Sequence, residues 1–447
     1  MTCAIGAVVS SLVKHSGKSF EDPAFIQNKE VPVHRWVNWI AGFSGAFVAS
    51  CISRYLPVIN KDTTILDPFA GVGTTLVEGL RYGANVVGFE INPFAALVAD
   101  LKLRCMEIDP SEIKILEKRF LEFMRATAKS GKTPKTCPPQ NFRSRIPFFS
   151  EAVLQQILWV MDFISQIDEP LKSFIKVAFG SVMVSFSNYT YEPSLGSRPA
   201  AGKPLILDAS VAEIISAKLK QMQADAAAFR HETADCRHLP DRKVYRESFF
   251  RALEFIEPSA VDLVVTSPPY MNNYHYVRNT RPQLFWLEFV SSPAELRTLE
   301  KSNFGKSWQA VRDKEPIAVN SPIPVVTEIV EKLRNTAQEK GAYGGPGWAN
   351  YVACYFNDAE QFLKVLADVM RPGGTAVIVI GNSIIQGIEV EVDVVISILG
   401  EEFGLETEGI YIIRGQRTGS SIVGTGYRKL TDGKPSLYDA AVVLKKQ

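Results

Sequence analysis

The spacing of apolar positions divides the chain into three kinds of segment. From Thr63 to Leu103 the text reads "TTILDPFAGVGTTLVEGLRYGANVVGFEINPFAALVADLKL". A short apolar run meets a Gly-rich turn, then helical spacing, then a second short apolar run. This is the opening of a β-α-β unit, because neighbouring parallel strands need a crossover helix. From about Ser111 to Arg230 the period is helical, as in "FFSEAVLQQILWVMDFISQI" and "SVAEIISAKLKQMQADAAAF". Between those helices "SNYTYEPSLGSRPAAGKP" is rich in Pro, Gly and Ser and is expected to be loop. The α/β pattern then returns. "AVDLVVT" reads as a strand, "YFNDAEQFLKVLADVM" as an amphipathic helix, "RPGG" as a turn, "TAVIVIGNS" as a buried strand and "EVDVVISILGEEFG" as a helix. "EGIYIIRGQ" and "YDAAVVLKK" read as a terminal strand pair.

The simplest architecture is one doubly wound, Rossmann-like α/β sheet split by a mostly helical insertion. The expected boundaries are 1–104 and 236–447 for the two parts of the α/β unit and 105–235 for the insertion. Composition adds little to this: 46% hydrophobic and 22% charged is ordinary for a globular protein, and the net charge is +1. No apolar run is long enough to span a bilayer, and "MTCAIGAVVSSLV" lacks the charged leader of a signal peptide, so the expectation is a cytoplasmic protein with no membrane partner. The six cysteines are scattered without a CxxC pair, which points to reduced thiols and no metal site. Charge is uneven. Arg125, Lys129, Lys132, Lys135, Arg143 and Arg145 form a basic run without an acid, and Arg414, Arg417, Arg428, Lys429 and Lys434 form a second local excess. Either is a solvated surface or a phosphate-neutralising one.

"ILDPFAGVGTT" ends a strand and opens a helix. Gly71 and Gly73 remove side chains where backbone must turn and a ligand approach, and Thr74 and Thr75 offer hydroxyls and amides at the helix start. No lysine follows, so this is not the phosphate loop of ATP-binding proteins. The dinucleotide pattern GxGxxG also fails, at Leu76. Asp67, beside Pro68 and Phe69, would repel a pyrophosphate but pair with an ammonium. Glu90, one strand later, sits where an acid accepts from ribose hydroxyls. Ribose with an amino-acid tail and no phosphate describes S-adenosylmethionine.

The strand "VDLVVT" halts at Ser267-Pro268-Pro269-Tyr270, because consecutive prolines cannot continue a sheet ladder. "DPFAGVGTT" followed by "TSPPY" resembles the methyltransferase family that modifies exocyclic amines of DNA bases, and the Ser variant is most similar to the N4-cytosine enzymes. The resemblance implies a fold of the S-adenosylmethionine-dependent methyltransferase type and a cytosine-N4-specific activity on double-stranded DNA with base flipping. It implies Ser267, Pro268, Pro269 and Tyr270 as the catalytic corner. Phe43 and Ser44 in "FSGAFVASCI" would lie near the methionine end of the cofactor, and Ser248 in "VYRESFFRAL" near its adenine, with Asp235 as a rival. A cognate restriction endonuclease is the implied functional partner, with the protein itself a monomer or dimer.

Alternatives stay open at this level. N6-adenine methylation, RNA modification and a catalytically silent DNA-binding subunit all fit parts of the pattern. A C5-cytosine enzyme does not, because "TCPPQ" puts proline on the wrong side of Cys137. The cofactor loop precedes the corner by roughly 200 residues, whereas many N4-cytosine enzymes run in the other order. DNA would be read by the insertion or by a second segment, 291–350, which holds Lys301, Lys306, Trp308, Arg312 and Lys314. Tyr274, Tyr276 and Arg278 are candidate pocket residues. Phe285, Trp286 and Leu287 are expected to begin a core helix, and His34, Arg35 and Trp36 to pack.

Overall fold

A row of β-branched and aliphatic residues early in the chain's second half explains the sheet. Val264, Leu263 and Val265 alternate between two separate apolar clusters, so this strand is buried on both faces. The computed structural model describes residues 14–16, 20–39, 42–191, 194–233, 240–272, 274, 276–320, 323–416 and 437–447. In chain order the strands are β1 (Lys14–Ser16), β2 (Thr64–Asp67), β3 (Asn85–Phe89), β4 (Tyr189–Tyr191), β5 (Leu195–Ser197), β6 (Arg242–Tyr245) and β7 (Val261–Thr266). They continue as β8 (Met370–Gly381), β9 (Ser383–Ile385), β10 (Ile388–Val390), β11 (Leu405–Gln416) and β12 (Leu437–Lys446).

Eight of these form one sheet in the order β1-β11-β12-β8-β7-β2-β3-β6. β6, β3, β2, β7 and β8 are mutually parallel, and β12 runs against both β8 and β11. The doubly wound α/β fold is therefore present, with the expected terminal strand pair at β11 and β12. From β2 the chain winds outward through β3 and β6, then returns to β7 beside β2 and winds the other way through β8. The reversal falls between β2 and β7, where a crevice opens at the carboxyl ends of the strands.

One face of the sheet packs on the helices Gly45–Tyr55, Thr74–Arg81 and Pro93–Arg104 and on the helical stretch before β6, namely Pro110–Ser130, Glu151–Ile164, Leu171–Val182 and Val211–Glu232. The other packs on Pro324–Arg334, Gly345–Val369 and Val392–Glu402. No helix among the described residues is long and apolar enough to cross a membrane.

Three local expectations need correction. The segment read as loop holds the β4-β5 hairpin, in which Tyr189 pairs with Ser197 and Tyr191 with Leu195. Gly196 itself pairs with Thr190 inside it, and the buried Tyr189 and half-buried Tyr191 on the facing strand outweigh local composition. "RPGG" is not a turn between elements but lies inside β8. Val261 pairs with Met370 and Leu263 already with Thr375, so the four residues bulge out of a continuing strand. Phe285, Trp286 and Leu287 close the helix Tyr276–Trp286 rather than begin one, and all three are buried.

Candidate active site

The two motifs meet at the reversal point, joined by hydrogen bonds. The Thr266 hydroxyl, at the end of β7, donates to Asp67 Oδ1 at the end of β2, 2.7 Å away. Thr75 Oγ1, at the start of the next helix, donates to the carbonyl of Val265 at 3.0 Å. Register between β2 and β7, and thus between cofactor loop and Ser-Pro-Pro-Tyr corner, is fixed by buried polar contacts as well as by the ladder.

The loop itself turns through left-handed backbone at Gly71 (φ 51°) and Gly73 (φ 82°). A Cβ on Gly71 would lie 3.1 Å from Trp39 Nε1, and one on Gly73 would lie 3.0 Å from Ala99 Cβ. Neither place has room for a side chain, and the positive φ excludes most residues anyway. The Gly71 amide donates to Glu90 Oε2 (2.8 Å) and the Asn92 amide to Glu90 Oε1 (2.7 Å). Asn92 also caps the helix Pro93–Arg104 by accepting from Phe94 and Ala95, with Pro93 at the first helical position, where its missing N–H costs nothing. Its Nδ2 donates to Thr280 Oγ1 at 2.7 Å, which ties this loop to the helix Tyr276–Trp286.

A cleft opens over these loops. Asp67, Pro68, Phe69, Gly71, Thr74, Glu90, Ser248, Ser267 and Pro269 line it, together with Phe43. Burial pushes the Glu90 carboxyl up to about 7, against the pull of the Asn92 and Gly71 amides, and the nearby Asp67 charge adds to the rise. Burial likewise pushes Asp67 up to about 6, opposed by the Thr266 hydroxyl and the Phe69 amide. Ser248 caps the short helix Phe249–Glu254, accepting from the Phe250 amide at 3.4 Å. Its rival Asp235 lies outside the described residues.

Not every residue expected at the cofactor reaches the cleft. Ser44 is fully buried, donates to the Asp22 carbonyl (2.7 Å) and caps the helix Gly45–Tyr55 through the Phe47 amide. Thr75 is turned inward onto Val265, and Gly73 faces Ala99. These three shape the loop without lining the cavity, because helix starts point side chains back into the turn they close. Conversely, Trp39, Phe249, Asn303 and Phe304 line the cleft from positions that no local motif marks. The Phe304 ring sits edge-on to Phe69, with centroids 5.3 Å apart.

At the corner, Pro268 is buried and the Pro269 carbonyl accepts from the Tyr355 hydroxyl at 2.8 Å. Tyr270 faces a neighbouring pocket that also holds Tyr274, Tyr276, Arg278, Arg281 and Lys306. Burial raises the Tyr270 phenol far above its ordinary range, with the Asp439 charge adding and a hydrogen bond from Ser267 opposing. Ser267 and Tyr270 are thus hydrogen-bonded to one another at the mouth of the cleft.

Residues 41–100 match a family model described as DNA methylase of the N6/N4 type. Over these residues, which hold the cofactor loop, the chain is similar to the N6/N4 DNA methylases. Among curated relatives, the Type II methyltransferase M.BsoBI of Geobacillus stearothermophilus is 24% identical over 438 residues, covering 88% of this chain and 82% of that protein. M.MvaI of Kocuria varians is 25% identical over 366 residues, covering 78% and 76%. M.MjaII of Methanocaldococcus jannaschii is 32% identical over 112 residues, covering 25% and 20%. A solved rRNA methyltransferase, AviRa of Streptomyces viridochromogenes, overlaps 92% of this chain and 89% of its own at 11% identity and a TM-score of 0.32, a likeness that decides nothing here.

The donor set of the cleft suits the cofactor inferred from sequence. Two carboxylates line the cavity, the buried Asp67 and the half-buried Glu90, and no phosphate-binding lysine stands in the loop. Glu90 would accept from a ribose diol, and Asp67 would face an ammonium.

The segment His34, Arg35 and Trp36 packs, as expected. His34 Nε2 meets Glu78 Oε1 at 2.6 Å, and the Asp225 carboxylate takes hydrogen bonds from Arg35, Trp36 and the Val33 amide. The six basic residues between Arg125 and Arg145 are all exposed. In the second segment Lys306 is held by Asp358 (3.1 Å), and Arg312 lies over the Trp308 and Tyr343 rings. Of the second basic excess, only Arg414 falls within the described residues.

Proposed function

We propose that the protein is an S-adenosylmethionine-dependent DNA methyltransferase that transfers a methyl group to the exocyclic N4 amine of cytosine, taken out of the duplex by base flipping. The observation that carries this reading is the Thr266–Asp67 hydrogen bond, which holds Ser267 at the wall of the cofactor cleft. Bound there, the cofactor supplies an electrophilic methyl carried on a sulfonium.

The chain's own residues answer the other half of the problem. A cytosine amine is a poor nucleophile because its lone pair is delocalised into the ring. The Ser267 hydroxyl accepts one amine hydrogen, and a backbone carbonyl at Ser267 or Pro268 accepts the other. Accepting both favours a pyramidal nitrogen and frees its lone pair. The rigid Pro-Pro backbone, anchored by Tyr355 at Pro269, holds these acceptors before the substrate arrives, which is where preorganised electrostatics gains its advantage. Tyr270 supplies a face for the extruded base. The exposed basic run of the insertion contacts phosphates, and a cognate restriction endonuclease is its functional partner.

The test is incubation with unmethylated genomic DNA and methyl-labelled cofactor, followed by digestion to nucleosides and mass spectrometry. N4-methylcytosine is the expected product. N6-methyladenine would keep the amine chemistry and overturn the target; label in RNA alone, or in no nucleic acid, would overturn the DNA reading.

A further inference from the structure

The cofactor cleft and the pocket at Tyr270 share a wall. Pro269, Tyr276, Val277, Asn303 and Phe304 line both. A methyl group delivered from one space to a base held in the other crosses at these residues. Only Tyr276 and Asn303 among them carry a polar side chain. The Tyr276 oxygen is engaged by the Tyr270 backbone. Asn303 is half-buried, and its carboxamide keeps open surface and has no hydrogen-bond partner among the described residues.

The side chain is free, but its backbone is pinned. The Asn303 carbonyl accepts from the Lys306 amide at 3.4 Å and from its ammonium at 3.0 Å. Lys306 Nζ also donates to Asp358 Oδ2 at 3.1 Å, and the Gly305 amide donates to the same oxygen at 2.8 Å. The turn passes through left-handed backbone at Gly305 (φ 72°), where a Cβ would lie 2.5 Å from Tyr355 Cδ2. Tyr355 and Asp358 stand three residues apart on the helix Gly345–Val369 and so share a face. Tyr355 holds the Pro269 carbonyl, and Asp358 holds the turn that carries Asn303. One face of one helix thus sets the backbone of Asn303 relative to the Ser-Pro-Pro-Tyr corner before any substrate arrives.

We propose that Asn303 is a base-positioning contact, its amide nitrogen donating to ring N3 of the cytosine whose amine is held at Ser267. The proposal rests on the DNA methyltransferase reading. The reacting amine has to lie where the two spaces meet. With both its hydrogens taken at the corner, the neighbouring atom on that edge of the base is N3, which can only accept, and Asn303 Nδ2 can only donate. Extruded bases are read by hydrogen bonds to this edge. Two contacts at the amine leave the ring able to pivot about it, and a third at N3 fixes the plane from which the nitrogen lone pair emerges.

A double-mutant cycle between protein and base tests it. Duplexes carry the site found by sequencing methylated genomic DNA, with cytosine or 3-deazacytosine, in which a C–H replaces N3 and the amine stays, as the target base. With the full-length protein, Asn303→Ala should lower kcat/KM on the cytosine duplex about tenfold, with cofactor affinity within about twofold of wild type. The change to 3-deazacytosine should cost the wild type about tenfold more than it costs Asn303→Ala, because the contact is already lost in the variant. A merely structural role for Asn303 would show no such coupling. Equal penalties in the two proteins, or an Asn303→Ala enzyme as active as wild type, would overturn the contact. A wild type that methylates no cytosine in DNA would instead overturn the reading beneath it.

Discussion

Two regions of this molecule bury carboxylates, and they treat them in opposite ways. Under the helical insertion, Asp225 accepts from the Arg35 guanidinium through two nitrogens at 3.0 and 2.6 Å, from Trp36 Nε1 at 3.1 Å and from the Val33 amide at 3.1 Å. Glu78 likewise meets Arg81 at 2.9 Å as well as His34. In the cleft, Asp67 and Glu90 receive only amides and hydroxyls, and no cation adjoins either among the described residues. A paired buried charge holds structure together, whereas an unpaired one carries a desolvation cost that a cationic, hydroxyl-rich ligand relieves. The contrast separates architecture from binding site without reference to any motif.

Breaking the paired side should give the largest effect. Asp225→Ala leaves a guanidinium and an indole N–H without their acceptor, and should destabilise the fold by roughly 3–5 kcal/mol in denaturant titrations. The folded fraction should bind cofactor normally. Ser267→Ala should lower the methyl-transfer rate by about 10²–10³, the range for loss of one preorganised polar group, with cofactor affinity unchanged by calorimetry.

Glu90→Gln sharpens the contrast, because it should split stability from function. The folded-state carboxyl lies near 7 against an ordinary 4.5, so the native state holds a proton that the unfolded chain has already released. The stability that this protonation gives is complete below about 4.5 and lost as pH rises through about 7. The ligand-free Gln variant, which leaves one of the Gly71 and Asn92 amides without its acceptor at every pH, should therefore gain on the order of 2–3 kcal/mol relative to wild type between pH 4.5 and pH 8, in melts at both values. Its cofactor affinity should fall at least tenfold. The smallest effect is expected for Thr266→Val, which removes the Asp67 contact at a cost of about 1 kcal/mol and weakens the cofactor a few-fold.

The parts legible in the sequence were those whose chemistry is local. A turn through positive φ needs Gly71, and a strand that stops at a rigid acceptor needs Pro268 and Pro269, so short text carries both signals. The strand–loop–helix reading succeeded for the same reason. Trp39, Phe304 and Tyr355 could not be read this way. Each reaches the site from a distant segment, and each looks like an ordinary core residue in its own neighbourhood. The loop residues Ser44 and Thr75 show the converse. Their types fit the motif, yet capping and inward hydrogen bonds turn them from the cavity. The β4-β5 hairpin escaped notice because its tyrosines are buried by contacts with Asn279 and Gln283 that lie some 90 residues on.

The claim that the unpaired carboxylates exist for the cofactor is tested most directly by calorimetric titration of S-adenosylmethionine into the protein between pH 5.5 and 7.5, alongside Glu90→Gln. Affinity should rise with pH toward about 7 and binding should release protons, because ligand contact favours the ionised Glu90 and Asp67. A pH-independent affinity without proton release, retained in Glu90→Gln, would contradict it.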